Sequence, residues 1–128
     1  MILGVGIDVV EVSRVERLWS RYGMKFASRI LAEEEIPLLP LAAAGYLASR
    51  FAVKEAAVKA LGTGFSQGVT MKQIAVRSGA GGVPELVLHG KARERCNTIG
   101  ASRAHLSLSH ERSTAVAVVI LEGETGQR

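Results

Sequence analysis

The apolar positions of this chain change period several times. Ile2 to Val10 is a short run of mostly β-branched residues with one carboxylate, Asp8, embedded in it, and it predicts a strand over residues 2–9. Val12, Val15, Leu18, Trp19 and Tyr22 then recur at spacings of three and four, predicting an amphipathic helix from about Glu11 to Tyr22. Lys25 to Leu31 reads as a further helical stretch, and Glu33 to Leu38 as a short one interrupted by Pro37 and Pro40. A long helix is predicted over residues 41–61, apolar over much of its circumference and therefore largely buried, although Gly45 weakens its first half. Gln73–Arg77 and Pro84–Leu88, joined through Gly79-Ala-Gly-Gly82, predict a hairpin, and residues 90–99 a short polar helix. A second hairpin is predicted from His105–Ser109 and Thr114–Leu121. Alternation in its first strand puts Leu106 and Leu108 on one face and His105, Ser107 and Ser109 on the other. His110 and Glu111 are expected in the turn. The order predicts one α+β domain over residues 1–121, a small, mainly antiparallel sheet packed with a long central helix, and a polar tail over 122–128 that frays.

With 48% hydrophobic and 22% charged residues the chain is globular, and with only 5% aromatics its core must come from Val, Leu, Ile and Ala. A net charge of +4 calls for an anionic partner: nucleic acid, an acidic protein or a phosphate-rich ligand. A single cysteine, Cys96, excludes an internal disulfide framework and a multi-cysteine zinc site. No run approaches the ~20 apolar residues that span a bilayer, and Asp8 interrupts the N-terminal stretch too early for a signal peptide. The chain reads as soluble and cytoplasmic.

The densest chemistry lies in Arg50-Phe-Ala-Val-Lys-Glu-Ala-Ala-Val-Lys-Ala-Leu-Gly-Thr-Gly64. Glu55 and Lys59, four apart, stand nearly one above the other on a helix turning ~100° per residue, and Arg50 and Lys54 form a second such pair on another side. As a surface pair Glu55 and Lys59 would contribute only about 0.3–0.5 kcal/mol. On a buried helix such charges need partners or a task. Gly62-Thr-Gly64 suits both a helix C-cap and close approach of backbone to a ligand. Asp8 is open to two readings, a cap for the helix that follows and a ligand. Arg14, Arg17, Arg21, Lys25 and Arg29 recur every three or four residues as a stripe of one sign, which fits a solvated face or an acidic partner.

Gly4-Val-Gly-Ile-Asp8, the Arg50–Gly64 segment and His105-Leu-Ser-Leu-Ser-His110, in this order over nearly the whole chain, resemble the small holo-acyl-carrier-protein synthases of the 4′-phosphopantetheinyl transferases. The resemblance implies the phosphopantetheinyl transferase fold, a homotrimer with interfacial sites, and a role in fatty acid biosynthesis. It implies Mg²⁺-dependent transfer of phosphopantetheine from coenzyme A to a serine of an acidic acyl carrier protein, releasing 3′,5′-ADP. By the same resemblance Asp8 and Glu55 are the metal ligands, and Lys59 the phosphate-contacting lysine. Glu55 is also a candidate to handle the serine proton. Arg50, Gly62, Gly64 and His110 are expected to hold coenzyme A, and Arg14, Arg17, Arg21 and Lys25 the carrier protein. One departure stands out: some members carry a basic stretch before the long helix, where this chain has Leu38-Leu-Pro-Leu-Ala-Ala-Ala44. The competing expectation is a basic nucleic-acid-binding module without catalysis. It has the charge but lacks regularly spaced stacking aromatics and zinc ligands. Neither GxxxxGK[ST] nor a strand-linked GxGxxG occurs in the chain, so neither common phosphate loop is available.

Overall fold

Why a strand should carry Gly4 and Gly6 becomes clear once the long helix is laid on it. In the computed structural model, which describes residues 1–125, strand β1 (Ile2–Glu11) leads into helices α1 (Val12–Tyr22) and α2 (Met24–Ile30). A 3₁₀ segment (Glu33–Leu38) and the long helix α3 (Ala43–Leu61) follow. The chain continues through strands β2 (Ile74–Ser78) and β3 (Pro84–Leu88), helix α4 (Gly90–Thr98), and strands β4 (Ala101–His110) and β5 (Thr114–Gly123). Strands β1, β5 and β4 form an antiparallel sheet in that order, and β2 with β3 a separate hairpin. The architecture is α+β, as the pattern predicts.

Helix α3 lies across one face of the larger sheet. Its apolar residues surround it because it is covered on nearly every side: Leu47, Ala48, Ala52, Val53, Ala56, Ala57, Val58 and Leu61 are all buried. Val10, Ala115, Ala117, Val119 and Leu121 meet it from the sheet. On β1 the residues facing the helix alternate as Gly4, Gly6, Asp8 and Val10. A Cβ on Gly4 would fall on the carbonyl oxygen of Ala60, and one on Gly6 on that of Ala56. Glycine lets the backbones of strand and helix touch, and Asp8 is the next residue on that face. The opposite face of β1 shows Val5, Ile7 and Val9, each more than half exposed.

Several local expectations shift. Helix α3 begins at Ala43 rather than at residue 41. His110 ends β4 rather than lying in the turn, because β4 is a ten-residue edge strand whose exposed side accepts polar residues. β5 runs on to Gly123, so Glu122 and Gly123 are in the strand rather than in a fraying tail. Residues 126–128 of that tail lie outside the described residues.

Candidate active site

Asp8 does not cap α1, whose N-terminus has no side-chain cap. Its carboxylate turns to α3 instead, where Lys59 Nζ donates to Asp8 Oδ1 at 3.1 Å and to the Ile7 carbonyl at 3.0 Å. Strand alternation aims Asp8 at the helix, and helical spacing places Glu55 one turn before Lys59. Asp8 and Glu55 line one cleft of about 290 Å³, with Glu11, Arg14, Leu18, Phe26 and Phe51 among its walls. Burial pushes the Glu55 carboxyl above the usual range, the negative charge of Asp8 pushes it further, and Lys59 opposes both. One half-exposed ammonium thus faces two carboxylates. The corner carries unbalanced negative charge and open solvent access, the condition a divalent cation relieves. Among the described residues no group of three or more His, Cys, Asp or Glu could encircle a metal. Two hard carboxylates nevertheless fit Mg²⁺, which keeps waters and substrate phosphates in its shell.

The residues sought for coenzyme A do not all gather here. Gly62 is the left-handed C-cap of α3 (φ 78°), its N–H bonded to the carbonyls of Val58 and Lys59, and Gly64 is also left-handed (φ 59°). Arg95 Nε completes the helix end by donating to the Leu61 carbonyl at 2.9 Å. His110 faces a different and larger cavity of about 730 Å³, between α1, the start of α3 and the β4–β5 turn, with Trp19, Gly45 and Arg112. Arg50 lies over the Tyr46 ring, 4.3 Å from its centroid, and donates to Ser49 Oγ at 3.2 Å. It reaches neither cavity wall. Among the described residues its Nε is buried without a hydrogen-bond partner.

Arg50 and Lys54, one turn apart on α3, take different partners. Lys54 is wholly buried and pairs with Glu35 of the 3₁₀ segment, Nζ to Oε1 2.6 Å, a partner nineteen residues away that helical spacing could not reveal. Burial pulls the Lys54 ammonium below the usual lysine range, and Glu35 opposes this.

Arg14, Arg17 and Arg21 are exposed along α1, and Lys25 and Arg29 along α2, across a break at Gly23 (φ 54°). Lys25 and Arg29 edge a shallow surface with Leu18, Tyr22 and Phe26. Leu18 and Phe26 also line the Glu55 cleft, so the basic surface runs up to it.

The model of the 4′-phosphopantetheinyl transferase superfamily matches residues 4–119. A holo-[acyl-carrier-protein] synthase of Nitratidesulfovibrio vulgaris (strain DP4) is 54% identical over 123 residues, covering 95% of this chain and 99% of that protein. The solved holo-[acyl-carrier-protein] synthase of Neisseria meningitidis superposes with a TM-score of 0.88 at 40% identity, covering 95% of this chain and 99% of that one. That of Bacillus anthracis str. Ames, solved in complex with CoA (3′,5′-ADP), gives 0.80 at 36% identity, over 97% and 99%. A cleft lined by two carboxylates, one of them bonded to a lysine, on a fold shared over almost its whole length with these enzymes, decides the matter: the chain belongs to the 4′-phosphopantetheinyl transferase superfamily, among its holo-[acyl-carrier-protein] synthases.

Proposed function

We propose that this protein moves the 4′-phosphopantetheine of coenzyme A onto a serine of an acidic acyl carrier protein, with Mg²⁺, and releases 3′,5′-ADP. The observation that carries the reading is that Asp8 and Glu55, from distant segments, line one cleft, with Lys59 bonded to Asp8 beside it. Asp8 and Glu55 would hold the cation, which when bound offsets the charge of the pyrophosphate and lowers the barrier to attack on phosphorus. Lys59, half-exposed on a long stem, can leave Asp8 for an oxygen of the attacked phosphoryl group. Glu55, with its carboxyl pushed up, is suited to accept the serine proton directly or through a water. The serine oxygen bonds to phosphorus as the bond to the bridging oxygen breaks, and the nucleotide leaves with the electron pair.

The active assembly is a homotrimer with shared sites. Support comes from the outer face of the sheet, where exposed Val5, Ile7 and Val9 stand beside Ile120, Val118 and Val116. A contiguous apolar face of this kind is costly in water and fits a second copy of the same chain. The separation of the His110 cavity from the Glu55 cleft within one protomer supports the same reading. The exposed arginines of α1, with Lys25, form the carrier-protein surface, since they adjoin the cleft where its serine must arrive.

Mass spectrometry of an apo carrier protein incubated with coenzyme A and Mg²⁺ tests the reaction. A gain of one phosphopantetheine is the expected result; none, with salt-sensitive nucleic-acid binding in EDTA, favours the non-catalytic alternative. Mixing Arg50→Ala with Glu55→Ala protein under subunit exchange tests the shared site. Partial recovery of activity is expected, and no recovery despite confirmed exchange removes Arg50 from it.

A further inference from the structure

Glu35 and Lys54 form the one ion pair among the described residues with no exposure on either side chain. Apolar side chains of equal volume often stabilise a fold as well as a buried pair does. What they cannot supply is direction. Lys54 Nζ donates to Glu35 Oε1 and to the carbonyls of Met71 and Ile74, so all three of its protons are used. Glu35 Oε1 also accepts from the Ala32 N–H, and Oε2 from the Val76 N–H, each at 2.9 Å. Tyr46 Oη of α3 donates to the Glu35 carbonyl at 3.3 Å. One point therefore ties together the chain leaving α2, the middle of α3 and the start of β2.

Its place in the fold gives those ties leverage. Lys54 directly precedes Glu55 on a rigid helix. Ala32 lies two residues beyond α2, the seven-residue helix whose Phe26 lines the same cleft as Glu55 and whose Lys25 and Arg29 carry the basic surface. The two walls of the cleft are thus hinged at the Glu35–Lys54 pair. Asp8 and Glu55 do not depend on it in the same way, because Gly4 and Gly6 clamp β1 onto α3 separately.

We propose that Glu35 and Lys54 are positioning residues for the transfer: they hold α2 in fixed relation to Glu55 and Lys59, so that an acidic protein docked on α2 presents its serine at the cleft. The proposal rests on the function proposed above. Misplacement of reacting groups by about 1 Å costs on the order of 10²-fold in rate, so a small shift of α2 is enough to matter.

Two variants test it. Glu35→Gln/Lys54→Met removes both charges together, so neither is left buried and unpaired. Glu35→Asp keeps both charges but draws the carboxylate back by one carbon, and it decides the case on the same readouts if the double variant does not fold. Backbone hydrogen exchange over residues 24–31 is expected to rise roughly tenfold or more, with β1 and β5 unchanged. At saturating substrates kcat falls about 10²-fold. KM for coenzyme A and Mn²⁺ affinity read by electron paramagnetic resonance stay within about threefold, because the clamp at Gly4 and Gly6 is untouched. A folded variant with native exchange in α2, or with kcat within threefold of native, overturns the proposal. So does a parallel loss of Mn²⁺ affinity, which would mean that the pair acts on the carboxylates rather than on α2. If the native protein transfers nothing to a carrier protein, the proposed function fails by itself, while the exchange measurement still decides whether the pair holds α2.

Discussion

Lys54 and Glu55 are neighbours in sequence and opposites in the fold. Lys54 is sealed, and each of its protons ends on a protein oxygen. Glu55, about 100° further round the same helix, lines an open cleft. It shares one partly exposed lysine with Asp8, which leaves negative charge over. The difference separates a charge that acts through the fold from one that acts on a ligand. Where the protein supplies every partner, loss of the group falls on the fold and reaches the chemistry only through it. Where the set is incomplete, the missing partner comes from outside, and loss is felt in chemistry. The comparison breaks if the two positions respond alike to truncation.

The largest effects should come from the carboxylates. Asp8→Ala and Glu55→Ala are each expected to abolish Mg²⁺-dependent transfer while the thermal midpoint stays within a few degrees of native, checked by carrier-protein mass shift and calorimetry. Lys54→Met should do the reverse in stability. It leaves the Glu35 charge buried and unpaired, which costs about 3–5 kcal/mol. Near-normal turnover of either carboxylate variant at limiting Mg²⁺ would end the shared-metal assignment.

Lys59 sharpens the boundary between the two classes, because its ion pair with Asp8 is real but half-exposed. Such a pair contributes about 0–1 kcal/mol to stability, whereas removing one donor from a developing oxyanion costs roughly 10²–10³ in rate. Lys59→Met should therefore lower kcat by that factor with little change in unfolding free energy. An active but destabilised variant would move Lys59 to the structural side.

The two regions also differed in how far the sequence exposed them. The Glu55–Lys59 face follows from helical spacing, and Asp8 was conspicuous as a carboxylate in a β-branched run. Both are local signals. The reason for Gly4 and Gly6 was not legible, since it lies in the carbonyls of Ala56 and Ala60 across a strand–helix contact. Glu35 as the partner of Lys54 was likewise hidden, because the pairing spans nineteen residues and two elements. Arg50 is a different case: it lies over the Tyr46 ring four residues back on the same helix, a local spacing that was legible. His110 was placed in a turn because an edge strand tolerates polar residues that alternation rules count against it.

Smaller effects are expected away from the cleft. Arg14→Glu with Arg21→Glu, seven residues apart on α1 and both exposed, should raise KM for the carrier protein about tenfold at low salt and leave KM for coenzyme A unchanged. The loss should shrink as ionic strength rises and the Debye length falls. Arg14 also lines the Glu55 cleft, so equal effects on both substrates would assign the arginines to the nucleotide instead.

The smallest effect tests the incomplete set of partners directly, through stability. The Glu55 carboxyl is held above its ordinary value in the fold, mainly by burial and then by Asp8. A raised carboxyl binds its proton more tightly folded than unfolded, so stability falls as pH rises from the unfolded value toward the folded one. Below that window both states are protonated and nothing is lost; above it the charged group is a standing cost. Glu55→Gln carries no charge to pay for, so without metal it should be slightly more stable than native at pH 7, with a gain that vanishes below about pH 4. Added Mg²⁺ should stabilise native protein and not the variant, which would reverse their order at pH 7. Chemical denaturation at the two pH values, with and without Mg²⁺, reads both effects. A variant less stable than native at neutral pH without metal would show that Glu55 is already satisfied by Lys59, and the contrast with Lys54 would lose its basis.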